Sequence, residues 1–144
     1  MWKSYIQSVT KGYHFKEPAH LADIQRIQKE LRVDLPQDLR TLFNETNGVF
    51  DEFNCPLIWS VDQIVKDNLF FRNSEDYKDI YMPFDHLLFF SDSGAGDLFG
   101  YPILNGQIQR DDIFVWDHES DSRTWVASSL QDFIEGWAND RISI

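Results

Sequence analysis

The dipeptide Asn105-Gly106, set between two strand-like runs, constrains this chain more than any other feature. A two-residue hairpin turn needs positive φ at both central positions, and asparagine followed by glycine meets that need. The run before it, Asp97 to Leu104, and the run after it, Ile113-Phe114-Val115-Trp116, are expected to pair antiparallel. After a polar turn at Glu119-Ser120-Asp121-Ser122, Arg123-Thr124-Trp125-Val126-Ala127 returns as a further strand and completes a meander. Upstream, Leu87-Leu88-Phe89-Phe90 is apolar without alternation, which suits a central strand covered on both faces.

Helices are expected on either side of this sheet. Trp2, Tyr5, Ile6 and Val9 recur at helical steps and predict a first helix closing at Gly12. Leu21, Ile24, Ile27 and Leu31 form an amphipathic face, and Pro36 opens a further helix that ends at Asn47-Gly48. Pro56 to Ser60 reads as a short strand, and Ser60 as the cap of a helix over 61–71 that buries Ile64, Val65 and Leu69. The polar segment 72–81 reads as a surface loop. Ser128 with Gln131 fits a capping box, and Leu130, Phe133, Ile134 and Trp137 give the last helix one buried face. The expected fold class is α+β: an antiparallel curved sheet with N-terminal helices and a closing C-terminal helix, in one domain over 1–144.

Charge narrows the partners. The 13 basic residues against 24 acidic give a net charge of −11. Neither nucleic acid nor an anionic membrane is expected as a partner, because each phosphate contact draws on lysine or arginine. A cationic partner would be attracted at long range. With 42% hydrophobic and 15% aromatic residues, the chain carries enough apolar surface for a core despite its charge. Cys55 is the one cysteine, so an internal disulfide is ruled out and a reducing, cytoplasmic setting is expected, with the thiol buried and inert. The opening residues lack the apolar stretch of a signal peptide, and no run approaches the roughly 18 apolar residues of a membrane span.

Several segments stand in a telling order: Leu35-Pro36-x-Asp38-Leu39-Arg40, Asn47-Gly48, the strand with Trp59, Leu88-Phe89-Phe90, Gly94-x-Gly96-Asp97 and Ile113-x-Val115-Trp116-Asp117-His118-Glu119. In this order they resemble the SUKH superfamily, which includes bacterial immunity proteins and the yeast cell-wall assembly regulators. The likeness runs from about Pro18 to Trp137. It implies an α+β fold with a curved sheet and a role in neutralising a cognate toxin, often a nuclease, or in regulation as an adaptor. It carries no shared catalytic residue. Gly96, Asp97 and Trp116 match the family pattern and read first as fold determinants.

Between Asp85 and Arg123 stand Asp85, Asp92, Asp97, Asp111, Asp112, Asp117, Glu119 and Asp121, opposed by Arg110 and Arg123. Such a cluster can present an acidic face to a basic protein. It can equally be turn chemistry, since aspartates at turns accept hydrogen bonds from nearby backbone amides. A metal site over 117–121 lacks the second histidine of a zinc helix, and 92–97 fails the calcium-loop pattern. Gly94-x-Gly96 precedes a strand, so it offers no helix N-terminus for a phosphate.

No catalytic, cofactor-binding or metal-binding residue is therefore assigned, and no cofactor is expected. The partner-binding candidates are Asp97, Tyr101, Asp112, Asp117, Glu119, Asp121 and Trp125; the two aromatics enter as interface anchors. The expected partner is a basic cognate toxin protein, with a nuclease domain as the first candidate. The alternatives are a regulatory adaptor of the same fold and a metal-dependent hydrolase built on 117–121. The residues carry no signal of oligomeric state.

Overall fold

In a computed structural model describing residues 1–144, Asn105 and Gly106 sit at φ 53° and 75°, as the hairpin requires. Leu104 and Gln107 exchange backbone hydrogen bonds of 2.8 and 3.0 Å across the turn. Of the two strands it joins, the first is shorter than the expected 97–104 and the second is as expected. They are β5 (Leu98–Pro102) and β6 (Ile113–Trp116), paired antiparallel with Phe99 opposite Val115. The segment between Gln107 and Ile113 leaves the ladder, so the tip projects beyond the sheet.

With β4 (Leu87–Asp92) and β7 (Arg123–Ala127), these strands form a four-stranded antiparallel meander in chain order, β4-β5-β6-β7. Two short strands escaped the sequence reading: β1 (His14–Phe15) and β2 (Val49–Phe50), which join β3 (Pro56–Ile58) in a three-stranded sheet. Two-residue strands carry too little alternation to register as a pattern. The sheets meet where Trp59 N–H donates to the Phe90 carbonyl at 2.9 Å and Ser91 Oγ donates to the Leu57 carbonyl at 2.5 Å.

The helices are α1 (Trp2–Val9), α2 (Leu21–Leu31), α3 (Gln37–Phe43), α4 (Val61–Asn73), α5 (Glu75–Lys78) and α6 (Leu130–Ala138). The first stops short of Gly12 because Thr10 is already extended, at φ −154° and ψ 164°. Glu45 closes its open N-terminus from across the fold, accepting from Trp2 N–H at 2.8 Å and Lys3 N–H at 3.1 Å. The short α5 lies inside the segment expected to be a loop. The cap of α6 is Ser129, accepting from Asp132 N–H at 3.1 Å, one residue later than expected. Leu130, Phe133 and Ile134 of α6 are fully buried, an upper estimate of about 1.5–3 kcal/mol each.

In α4 the buried stripe is Val61, Ile64, Val65 and Asn68, while Leu69 is only half-buried. Asn68 acts as a surrogate neighbour for β4. Its Nδ2 donates to the Phe89 carbonyl at 2.8 Å, and its Oδ1 accepts from Phe89 N–H at 2.9 Å. Phe90 forms a bulge beside this contact, and the buried polar groups there are satisfied. Cys55 corrects a further expectation: it is exposed, in the turn between β2 and β3. No helix is long and apolar enough to cross a membrane.

Candidate functional site

The expected acidic face resolves into residues with different duties. Asp121 sits at φ +61° in the turn before β7. Its Oδ1 accepts from Trp116 Nε1 at 2.8 Å and from Arg123 Nη2 at 2.9 Å, and its Oδ2 from Met82 N–H at 2.9 Å. Arg123 stacks over the Phe84 ring at 5.1 Å, and burial lowers its pKa from the ordinary value. Asp121 therefore anchors a turn and a core indole. It is not a free contact.

The same arrangement recurs twice. Asp92 Oδ2 accepts from Trp59 Nε1 at 2.6 Å, and its Oδ1 from Gly94 N–H at 2.8 Å. Asp112 Oδ1 accepts from Trp125 Nε1 at 3.0 Å, while its Oδ2 meets Arg110 at 2.6 Å. The Trp125 and Arg110 hydrogen bonds hold the Asp112 carboxyl below the ordinary carboxylate range. Three indole N–H groups thus each end on an aspartate. Asp117 Oδ1 accepts from Glu119 N–H at 2.8 Å and Ser120 N–H at 3.3 Å, so it shapes its own turn.

Asp97 Oδ1 accepts from His118 N–H at 3.1 Å and lies 2.8 Å from His118 Nδ1. That carboxylate raises the His118 pKa above its ordinary value. The imidazole fits because Gly96 lacks a side chain: a Cβ there would fall 2.8 Å from His118 Cε1, at a backbone φ of +107°. Gly96 and Asp97 together place the ring.

Among the partner-binding candidates, Tyr101 is corrected outright. It is 1% exposed, with its hydroxyl buried. It faces the core because β5 is covered on both sides, Leu98, Phe99, Gly100 and Tyr101 all being buried. Trp125 is exposed, as a surface anchor must be. Glu119 is exposed and accepts no protein hydrogen bond. Asp97, Asp112, Asp117 and Asp121 are only partly exposed and engaged as above.

The 117–121 grouping does not converge, since Asp121 turns to Arg123 and Glu119 to solvent. Asp97, Asp117 and His118 are the set that could hold a metal ion, with ligand atoms all within 4.8 Å of one another. In that set Asp97 Oδ1 and His118 Nδ1 already face each other.

The largest surface cavity, about 900 Å³, lies between α1 and α3, away from this end of the meander. Its polar lining is engaged locally, Glu45 with α1 and Thr41 with the Trp2 indole at 2.8 Å. A second groove, about 450 Å³, opens beside His118 between α4, α5 and the strand ends, and escaped the sequence reading. Its signal was present in the spaced aromatics Phe71, Tyr77 and Tyr81, which periodicity alone does not assign to one surface.

Comparison with curated proteins returns no match. A family model of the SUKH_6 group, described as SMI1-KNR4 cell-wall, matches residues 21–134. That span runs from α2 into the first half of α6 and covers both turns of the acidic end and the whole meander. Its proteins are immunity-type or SMI1/KNR4-type and generally non-catalytic. The chain belongs to the SUKH superfamily.

Proposed function

We propose that this chain is an immunity protein that neutralises a cognate toxin by stoichiometric binding, without chemistry of its own. The observation that carries the reading is the net charge of −11 on a fold of this family. The partner it suits is a basic toxin, with a nuclease domain as the first candidate, because such a domain carries a cationic surface for phosphates. A field of this sign raises the association rate from about 10⁵–10⁶ M⁻¹s⁻¹ toward 10⁸–10⁹ M⁻¹s⁻¹ at low salt. Glu119 is the free contact candidate at the His118 end of the meander, and Asp85 and Asp111 are exposed carboxylates just before β4 and β6, at its other end. Asp97, Asp112, Asp117 and Asp121 contribute charge from fixed positions.

The test is co-expression with toxins encoded beside the gene, scoring growth rescue and co-purification together. Rescue with a one-to-one complex supports neutralisation by binding. Rescue without a complex overturns the stoichiometric mechanism. The cell-wall description of the matching family favours a second reading, a regulatory adaptor of the same fold. Failure of rescue with every neighbouring toxin would select it.

A further inference from the structure

The groove beside His118 combines features that the acidic surface alone lacks. Its walls include the half-buried rings of Phe71, Tyr77 and Tyr81, and the buried indoles of Trp59 and Trp116 line it as well. These rings are locked together: Tyr81 meets Trp116 edge-on at 4.9 Å, and Tyr77 stacks on Phe71 at 5.4 Å. The Tyr81 hydroxyl is tied to the His118 carbonyl at 2.9 Å. A rigid aromatic lining of this kind loses little entropy on binding.

Charge decides what would enter. Two carboxylates line the groove, Asp67 from α4 and Asp92 from the end of β4, and no lysine or arginine does. Asp67 Oδ2 accepts from Gln63 Nε2 at 3.2 Å, which leaves its other oxygen open. The one basic group is His118, whose Nδ1 is turned to Asp97. The rim extends as exposed apolar surface through Phe70, which packs edge-on against Tyr77 at 5.7 Å, and through Met82. An anion would meet the carboxylates. A second copy of this chain would carry the same −11 charge.

We infer that this groove receives an arginine side chain of the protein partner, its aliphatic stem against Tyr77 and Phe71 and its guanidinium toward Asp67. Arginine suits the site better than lysine because its planar fork both stacks on aromatic faces and pairs with a carboxylate. Aromatic and arginine residues are also those that dominate interface energetics. The inference rests on the reading that the chain binds a basic protein, and it names where that protein inserts its anchor.

The probe is the peptide acetyl-Gly-Arg-Gly-amide, titrated into the full chain while the indole N–H signals are followed by NMR. Trp59 and Trp116 line the groove, and Trp125 on β7 serves as an internal reference outside it. The expected result is a saturable shift of the Trp59 and Trp116 signals, half-complete in the millimolar range, with Trp125 stationary. Asp67→Asn should weaken it about threefold, and the citrulline peptide should bind more weakly than either. Absence of a saturable shift up to roughly 100 mM overturns the inference, as does an equal shift of all three indoles, which marks diffuse attraction to an acidic protein. Either failure leaves a co-purified toxin complex standing, so the groove and the proposed function are judged separately.

Discussion

Replacing Asp121 by alanine tests whether the acids at the meander's end are structural. The substitution removes the acceptor of Trp116 Nε1 and Met82 N–H, and it leaves Arg123, whose side chain is 9% exposed, without its carboxylate. Stranding one partner of a buried ion pair costs about 3–5 kcal/mol. The left-handed backbone at φ +61° adds roughly 1 kcal/mol for an alanine. Partial exposure of Asp121, at 21%, lets water recover some of this, so the expected loss is about 3–4 kcal/mol. For a domain with about 5–15 kcal/mol of stability that is a large fraction. The assay is urea unfolding followed by tryptophan fluorescence, reading the midpoint at unchanged slope. In an Arg123→Ala background the same substitution should cost at least about 1 kcal/mol less, because the stranded charge is gone. A loss below about 1 kcal/mol, the range of an exposed pair, would refute the reasoning.

The two histidines near this end should titrate on opposite sides of their ordinary value. By NMR, His118 should titrate above 6.5, chiefly through its hydrogen bond to Asp97, and Asp97→Asn should reduce the rise, leaving the smaller contributions of Glu119 and Asp117. The stability His118 contributes is fully present below its unfolded pKa and is lost as pH rises through its raised folded pKa. His86 should titrate below 6.5, because burial and the Arg123 charge disfavour its cation; its contribution is present above the unfolded value and lost as pH falls. Asn68→Ala should cost about 3–5 kcal/mol by the same urea assay, since it orphans the buried Phe89 N–H and carbonyl. A cost near that of an ordinary surface substitution would show that β4 does not depend on α4 for its hydrogen bonds. Trp125→Ala should change stability by less than about 1 kcal/mol, because the indole is 53% exposed and its one hydrogen bond reaches an Asp112 that keeps Arg110.

What the sequence showed depended on how local the cause was. Asn105-Gly106 specified its turn because the requirement lies in two backbone angles. Leu130, Phe133 and Ile134 declared a helix face because one helix repeats its demand every turn. Tyr101 misled for the opposite reason. A tyrosine on a strand can face either way, and only the packing of β5 on both sides decides that its hydroxyl is buried. Asn68 was missed because its partners lie 21 residues away on β4, and a polar residue in an apolar stripe gives no local sign of whom it serves. The groove was illegible for the same reason: Asp67, Tyr77 and Asp92 come together from two helices and a strand end.

The duties of the acids also show why the structural and functional readings are not rivals. A hydrogen bond from an indole or an amide uses a lone pair of the carboxylate and leaves its charge in place. Asp92, Asp112 and Asp121 therefore still contribute to the field that draws a basic partner, even though each is engaged with a tryptophan. The two readings separate only at contact, where a carboxylate must give its lone pairs to the partner, and there Glu119 is free and Asp121 is not. Reversing Asp97, Asp117, Glu119 and Asp121 together would thus strike the turns before it struck the interface, and lost binding would report a disturbed fold. Glu119 alone among those four separates binding from folding.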